Sequence, residues 1–182
     1  MEIRDARPDE FDELGDVRVA AYRADGFLSP QSTYAPTLRA LGADGFGQVL
    51  VAVGSEGTEA FDPTTGGRRQ GPGRILGTVM LQGWPEAGDF LAGPDEAEIR
   101  ALAVAPEAQG SGLGRRLLAA VTARAAAAGF RRLLLLTQPD MKAAHHIYEQ
   151  AGFTRLPDRD WSPEPGLILL AYALDLGNES FG

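Results

Sequence analysis

The sequence predicts an α/β fold built around one strand, one glycine-rich turn and one helix. Three observations predict it. Residues 98–105 have strand composition, and the segment after Gly110, Gly112 and Gly114 spaces Leu113, Leu117, Leu118 and Val121 along one helical face. Residues 133–136 are a continuous apolar run, as in a strand covered on both faces. Strand, helix and strand in that order make a right-handed parallel crossover.

The remaining elements follow in order. Residues 2–6 make a short opening strand. Pro8 and Asp9 begin a helical pattern through Phe11, Leu14, Val17, Val19, Ala20 and Tyr22 that Gly26 ends. A second helix starts after Pro30, with Tyr34, Leu38 and Leu41 on one face, and stops at Gly42. Residues 48–53 and 75–81 are β-rich and form a hairpin, joined by an overlong glycine-dense connection that holds Arg68 and Arg69. A second polar loop, 83–95, carries Trp84 and Phe90, which either border a site or pack. After the crossover, Pro139 and Asp140 open a short helix, with Asp140 as its N-cap, that Gly152 closes. Residues 153–156 and 167–174 supply two last strands, and the tail from Gly177 is loose.

Composition narrows the chemistry. At 182 residues the chain is long enough for one domain, 1–182, with its own core. It has no cysteine, so thiolate metal sites, disulfides and a cysteine nucleophile are excluded. Two adjacent histidines, His145 and His146, argue against a histidine metal centre, and both read as surface residues. The net charge of −8 argues against general nucleic-acid binding. It favours a cationic or amine-bearing partner. No apolar run is long enough to span a membrane, and residues 1–11 lack the apolar core of a signal peptide, so a cytoplasmic location is the expectation.

The glycine turn is the strongest chemical signal. Phosphate oxygens need converging N–H donors, and Cβ atoms would crowd their approach. Gln109, Gly110, Ser111, Gly112, Leu113 and Gly114 offer glycine at alternate positions where a helix begins. Arg115 and Arg116 lie in its first turn, where the helix dipole disfavours cations unless an anion is bound. The spacing fits neither the NTP-binding P-loop nor the dinucleotide fingerprint.

The run Q-G-S-G-L-G (109–114) follows the strand residues L-A-V-A-P, and A-A-H-H-I-Y-E-Q-A-G-F (143–153) lies downstream. Together they resemble the GNAT superfamily of N-acetyltransferases, whose signatures are Q/R-x-x-G-x-G/A and A-x-x-x-Y-E-x-x-G-F. The resemblance covers nearly the whole chain. It implies a central mixed, mostly antiparallel sheet of six to seven strands with a parallel splayed pair at its centre, flanked by about four helices. It further implies acetyl-CoA as the acyl donor. Backbone groups of Leu102, Ala103 and Val104 would pair with the pantetheine arm, and N–H groups from Gln109 to Arg115 would hold the pyrophosphate.

At the matching positions, the resemblance makes Tyr148 the acid that protonates the leaving thiolate. Glu98 is the candidate base, acting directly or through a water, against an equal alternative as a solvated carboxylate; Glu96 is a weaker competitor. Many members carry Asn seven residues before the tyrosine, where this chain has Met141. The implied activity is direct transfer of acetyl to a primary amine of a small molecule or peptide. A homodimer through the terminal strands is the oligomer expected of the fold. The competing expectation is a GNAT-like sensor that binds acyl-CoA without turnover.

Overall fold

The computed structural model describes residues 1–54, 59–61, 68–70 and 73–177. Strand β1 (Glu2–Asp5) leads through a short 3-10 turn into helix α1 (Phe11–Ala24). Pro8 opens that turn, and the Glu10 carboxylate accepts from the Arg7 N–H at 2.8 Å, so the chain is committed to helix before α1 begins. Then come α2 (Ala35–Ala40), β2 (Gln48–Val53), a ribbon of β3 (Glu59–Phe61) and β4 (Arg68–Gln70), and β5 (Ile75–Gly83). The second half runs β6 (Glu96–Val104), α3 (Leu113–Ala127), β7 (Arg132–Thr137) and α4 (Lys142–Gln150). It ends with β8 (Thr154–Arg155), β9 (Trp161–Glu164) and β10 (Leu167–Asp175).

One sheet of eight strands runs in the order β1-β2-β5-β6-β7-β10-β8, with β9 also paired to β10. Every pair is antiparallel except β6 and β7, the crossover pair at the centre. Their ladder runs from Glu96 opposite Arg132 to Ile99 opposite Leu135 and goes no further. Beyond it β6 stays with β5 as far as Val104, while β7 stays with β10 as far as Thr137. The two central strands therefore part. The parting coincides with a bulge: Met80 pairs with Arg100 and Thr78 with Ala103, leaving one residue of β5 against two of β6. Ala101 adopts φ 49° there, a left-handed conformation that costs a non-glycine residue energy.

The sheet is covered on both faces. Leu113, Leu117, Leu118 and Val121 of α3 pack on Ile99, Leu133 and Leu135. Opposite, Leu14 of α1 packs on Val49, Val51 and Met80. Gly77 in β5 lets α3 come close: a Cβ there would stand 2.9 Å from both Leu117 Cδ1 and the Ala103 carbonyl.

Several expectations are corrected. The sheet has eight strands, because Trp161–Glu164 pairs with β10 where the sequence showed only a loop. The connection between β2 and β5 contains the β3–β4 ribbon, though the Arg68 and Arg69 side chains lie outside the described residues, as does the tail from 178. The second helix is shorter than its pattern and begins at Ala35. Met141, not Asp140, is the N-cap of α4, and no side chain caps it. Among the described residues, no helix is long and apolar enough to cross a membrane.

Leu117 is fully buried between α3 and the sheet. Leu117→Ala is expected to lower the unfolding free energy by about 2–5 kcal/mol, through lost transfer energy and the residual cavity. Urea denaturation followed by circular dichroism measures it, and a change below 1 kcal/mol would contradict this packing.

Candidate functional site

Where β6 and β7 part, a cleft of about 740 Å³ opens between them. The edge of β6 that β7 vacates forms one wall. The Ala105 N–H donates to Leu76 O at 2.8 Å, so by the alternation of an antiparallel ladder Leu102 and Val104 turn their backbone groups away from β5, towards the cleft. The Gln109 amide, 3.5 Å from the Val104 carbonyl, agrees with that direction. Leu102, Ala103 and Val104 all line the cleft.

The glycine turn closes one end. Gly110 and Gly112 take φ 75° and 80°, which side-chain-bearing residues rarely adopt, and a Cβ at either would meet nothing within 4 Å. Both glycines thus allow the turn and leave open space before it. Gly112 is the N-cap of α3. Among the described residues no backbone carbonyl or side chain accepts a hydrogen bond from the N–H groups of Gly110 through Arg115; the first to find one is Arg116, bonded to Gly112 O at 3.3 Å. The result is a row of free donors on a positive helix end. Gln109, Leu113, Gly114 and Arg115 line the cleft. Ser111 does not, and its hydroxyl donates to Ala108 O at 2.6 Å. Gly114 lies against α4, where a Cβ would stand 3.4 Å from Ile147 Cδ1.

Helix α4 supplies the other wall. Tyr148 is buried among Phe153 and Tyr172, with ring centroids at 6.1 and 6.2 Å, and reaches the cleft. Burial and then the nearby Tyr22 phenol push its ionisation up, so the hydroxyl stays protonated. That hydroxyl has no hydrogen-bond partner among the described residues. Met141 also lines the cleft, its Sδ accepting from Thr137 Oγ1 at 3.5 Å. His146 is exposed at the cleft, as its sequence position suggested. His145 is not a surface residue: it is buried, stacks on Tyr172 and donates from Nε2 to Gln138 O at 3.0 Å.

Glu98 stands elsewhere. It is 7% exposed and is absent from the cleft lining. Ala97 and Ile99 point into the α3-side core, so Glu98 and Arg100 face the α1 side of the sheet. Burial raises the Glu98 carboxyl to about 7, and Arg100, whose Nε lies 3.9 Å from Oε1, partly opposes this. Glu96 is a structural anchor. Burial acts to raise its carboxyl, but the Ala92 N–H at 2.8 Å and Arg159 at 3.1 Å outweigh it and hold the group ionised.

Helix α1 brings residues whose part in the site the sequence did not reveal. Tyr22 and Asp25 line the cleft along with Phe27 from the loop that follows. Asp25 accepts from Gln109 Nε2 at 3.3 Å, tying the end of α1 to the glycine turn. The one available signal was their place in the last turn before Gly26. Tyr34 is 44% exposed and Trp84 49% exposed, both away from the cleft, and Phe90 packs beneath the Arg159 guanidinium.

Comparison with known proteins fits this geometry. The family model described as the acetyltransferase (GNAT) family matches residues 58–153, just over half of the chain. A mycothiol acetyltransferase of Cellulomonas flavigena is 36% identical over 108 residues, covering 58% of this chain and 31% of that protein. The chain thus spans about a third of that relative's length. A GNAT-family acetyltransferase structure from Desulfovibrio desulfuricans superposes with a TM-score of 0.69 at 21% identity, covering 97% of this chain and 99% of that one. An acetyltransferase of Salmonella typhimurium, solved with its cofactor acetyl-CoA, gives 0.64 at 18% identity over 100% and 97%. With strands that part over a glycine turn, and with the family model matched across both, the chain belongs to the GNAT family of acetyltransferases.

Proposed function

We propose that the chain is an N-acetyltransferase that moves an acetyl group from acetyl-CoA to a primary amine of a small molecule or peptide, by direct attack while both are bound. The observation that carries this reading is the continuity of one cleft with a vacated strand edge, an unpartnered row of N–H donors and the Tyr148 hydroxyl. The N–H groups from Gly110 to Arg115 suit a pyrophosphate, with Arg115 beside them. The backbone of Leu102 and Val104 suits an amide-bearing arm added like a strand. Bound acetyl-CoA supplies an activated acyl group.

The chain supplies the proton movements. An ammonium must lose a proton before its lone pair can attack. Glu98, whose carboxyl burial raises to about 7, is able to take it. Because it does not line the cleft, it works through a water. The Tyr148 hydroxyl, protonated and free of protein partners, hydrogen-bonds the departing thiolate and returns a proton to it. A backbone N–H at the β6 bulge polarises the thioester carbonyl.

Three outcomes test this function. Isothermal titration should show acetyl-CoA binding that Gly112→Trp weakens at least about tenfold, since a bulky side chain at positive φ both strains the turn and fills the phosphate space; no binding by the unaltered protein would sink the proposal. Tyr148→Phe should lower single-turnover acetylation by about 10²–10⁴-fold while leaving acetyl-CoA affinity within about twofold. For Glu98, kcat/KM should rise with pH through about 7, and Glu98→Gln should remove that limb. The stability sign runs the other way. A carboxyl raised by burial favours folding below its unfolded value of 4.5 and loses that contribution as pH climbs to about 7. Glu98→Gln should therefore melt higher than the parent protein at pH 8, with the gain vanishing near pH 4.

A further inference from the structure

Arg18, in α1, is 0% exposed. Its Nη1 donates to Leu41 O at 2.6 Å, bracing the end of α2. Its Nε and Nη2 are buried and have no hydrogen-bond partner among the described residues. Those two donors share one edge of the guanidinium, the fork that takes a carboxylate in two parallel bonds. Among the described residues no carboxylate lies within ion-pair distance of Arg18. Burial lowers its pKa to about 10, which leaves it charged at neutral pH.

A second cation stands close by. Burial acts most on Arg18, the Tyr22 and Tyr34 phenols oppose it, and Arg100 lowers Arg18 slightly further; Arg100 is itself half-buried, with Nη1 bonded to Gln82 Oε1 at 3.0 Å. Glu98, 3.9 Å from Arg100, is a single carboxyl beside the two guanidiniums, and burial raises it to about 7. An uncompensated buried charge is costly and a partly satisfied one invites an anion. The location is informative. Neither guanidinium lines the cleft, but Arg18 precedes Ala21 and Tyr22 by one helical turn and Arg100 lies between Ile99 and Ala101, and all four of those neighbours do.

We infer that the acceptor amine also carries a carboxylate, received first by the partly exposed Arg100 and then by the free fork of Arg18, with the amine directed towards Glu98 and the thioester. This rests on the acetyltransferase function proposed above. Reaching the Arg18 fork requires the connection between α1 and α2, which carries Phe27 at the cleft, to shift. Bracing of α2 explains Nη1 but leaves the fork unexplained, whereas a bound carboxylate satisfies both donors and relieves the repulsion between the guanidiniums.

The test compares free amino acids and ω-amino acids with their carboxamides and with polyamines, following thiol release at fixed acetyl-CoA. The acids should exceed their amides in kcat/KM by at least about tenfold, the effect of a charge-assisted pair of bonds. Arg18→Lys keeps a cation able to reach Leu41 O but has no fork; it should abolish most of that preference with acetyl-CoA affinity and melting temperature retained. Arg100→Gln should raise KM for the acids at least about tenfold more than for the amides, any change acting through Glu98 being common to both, which keeps the test open if Arg18→Lys does not fold. Acetyl-CoA binding with equal turnover of acids and amides, or better turnover of polyamines, overturns this inference and leaves the acetyltransferase function standing. A protein that does not bind acetyl-CoA loses both.

Discussion

The bulge at Ala101 is the constraint on which the site depends. A regular β6 would continue its ladder with β7, and each strand would satisfy the other's backbone. The extra residue opposite β5 turns β6 away, while β7 keeps its bonds to β10. Leu102 and Val104 are left with backbone groups that the sheet does not use. In a fold where almost every buried N–H and C=O is paired, an unpaired strand edge beside a cavity is a place for a ligand backbone. The left-handed conformation of Ala101 is the local cost of holding that edge open.

The bulge also sets which side chains face which helix. Before it, Ala97 and Ile99 enter the α3-side core, and Glu98 and Arg100 face α1. After it the parity is reversed, so Leu102 and Val104 pack on the α3 side while Ala103 pairs with Thr78 across the other face. The Leu102 and Val104 side chains and the Glu98–Arg100 pair are thereby placed on opposite faces within a few residues of one strand. The glycine turn follows directly from the same strand. Asp25, bonded to Gln109, brings the end of α1 to that turn, so the two halves of the site meet there.

Much of this was legible in the sequence, for a physical reason. Helix α3 announces itself by Leu113, Leu117, Leu118 and Val121, and the turn before it by glycines whose φ values favour glycine. Local signals of that kind are complete within one segment. Strand β9 was missed because Trp161–Glu164 contains a proline and an acidic residue, and becomes a strand only through pairing with β10. Asp140 looked like an N-cap, yet the helix starts one residue later than that requires. His145 was misplaced because neither neighbouring sequence nor charge shows that it sits against Tyr172. Glu98 could be assigned to β6 from its pattern, but its distance from the cleft follows from strand parity around a bulge that leaves no mark in composition.

Net charge reports on the surface and not on the site. An excess of acidic side chains describes the solvated surface, where charges are screened, and suggests a cationic acceptor. The interior beside the cleft has the opposite balance. Arg18 and Arg100 are brought together by α1 lying across β6, and the carboxyl that could offset them is itself held near neutrality by burial. At a desolvated site a few fixed charges outweigh many on the surface, because no water intervenes to weaken them. Two guanidiniums thus stand against one carboxylate beside the cleft, and the burial that raises Glu98 also leaves the Arg18 fork short of an anion.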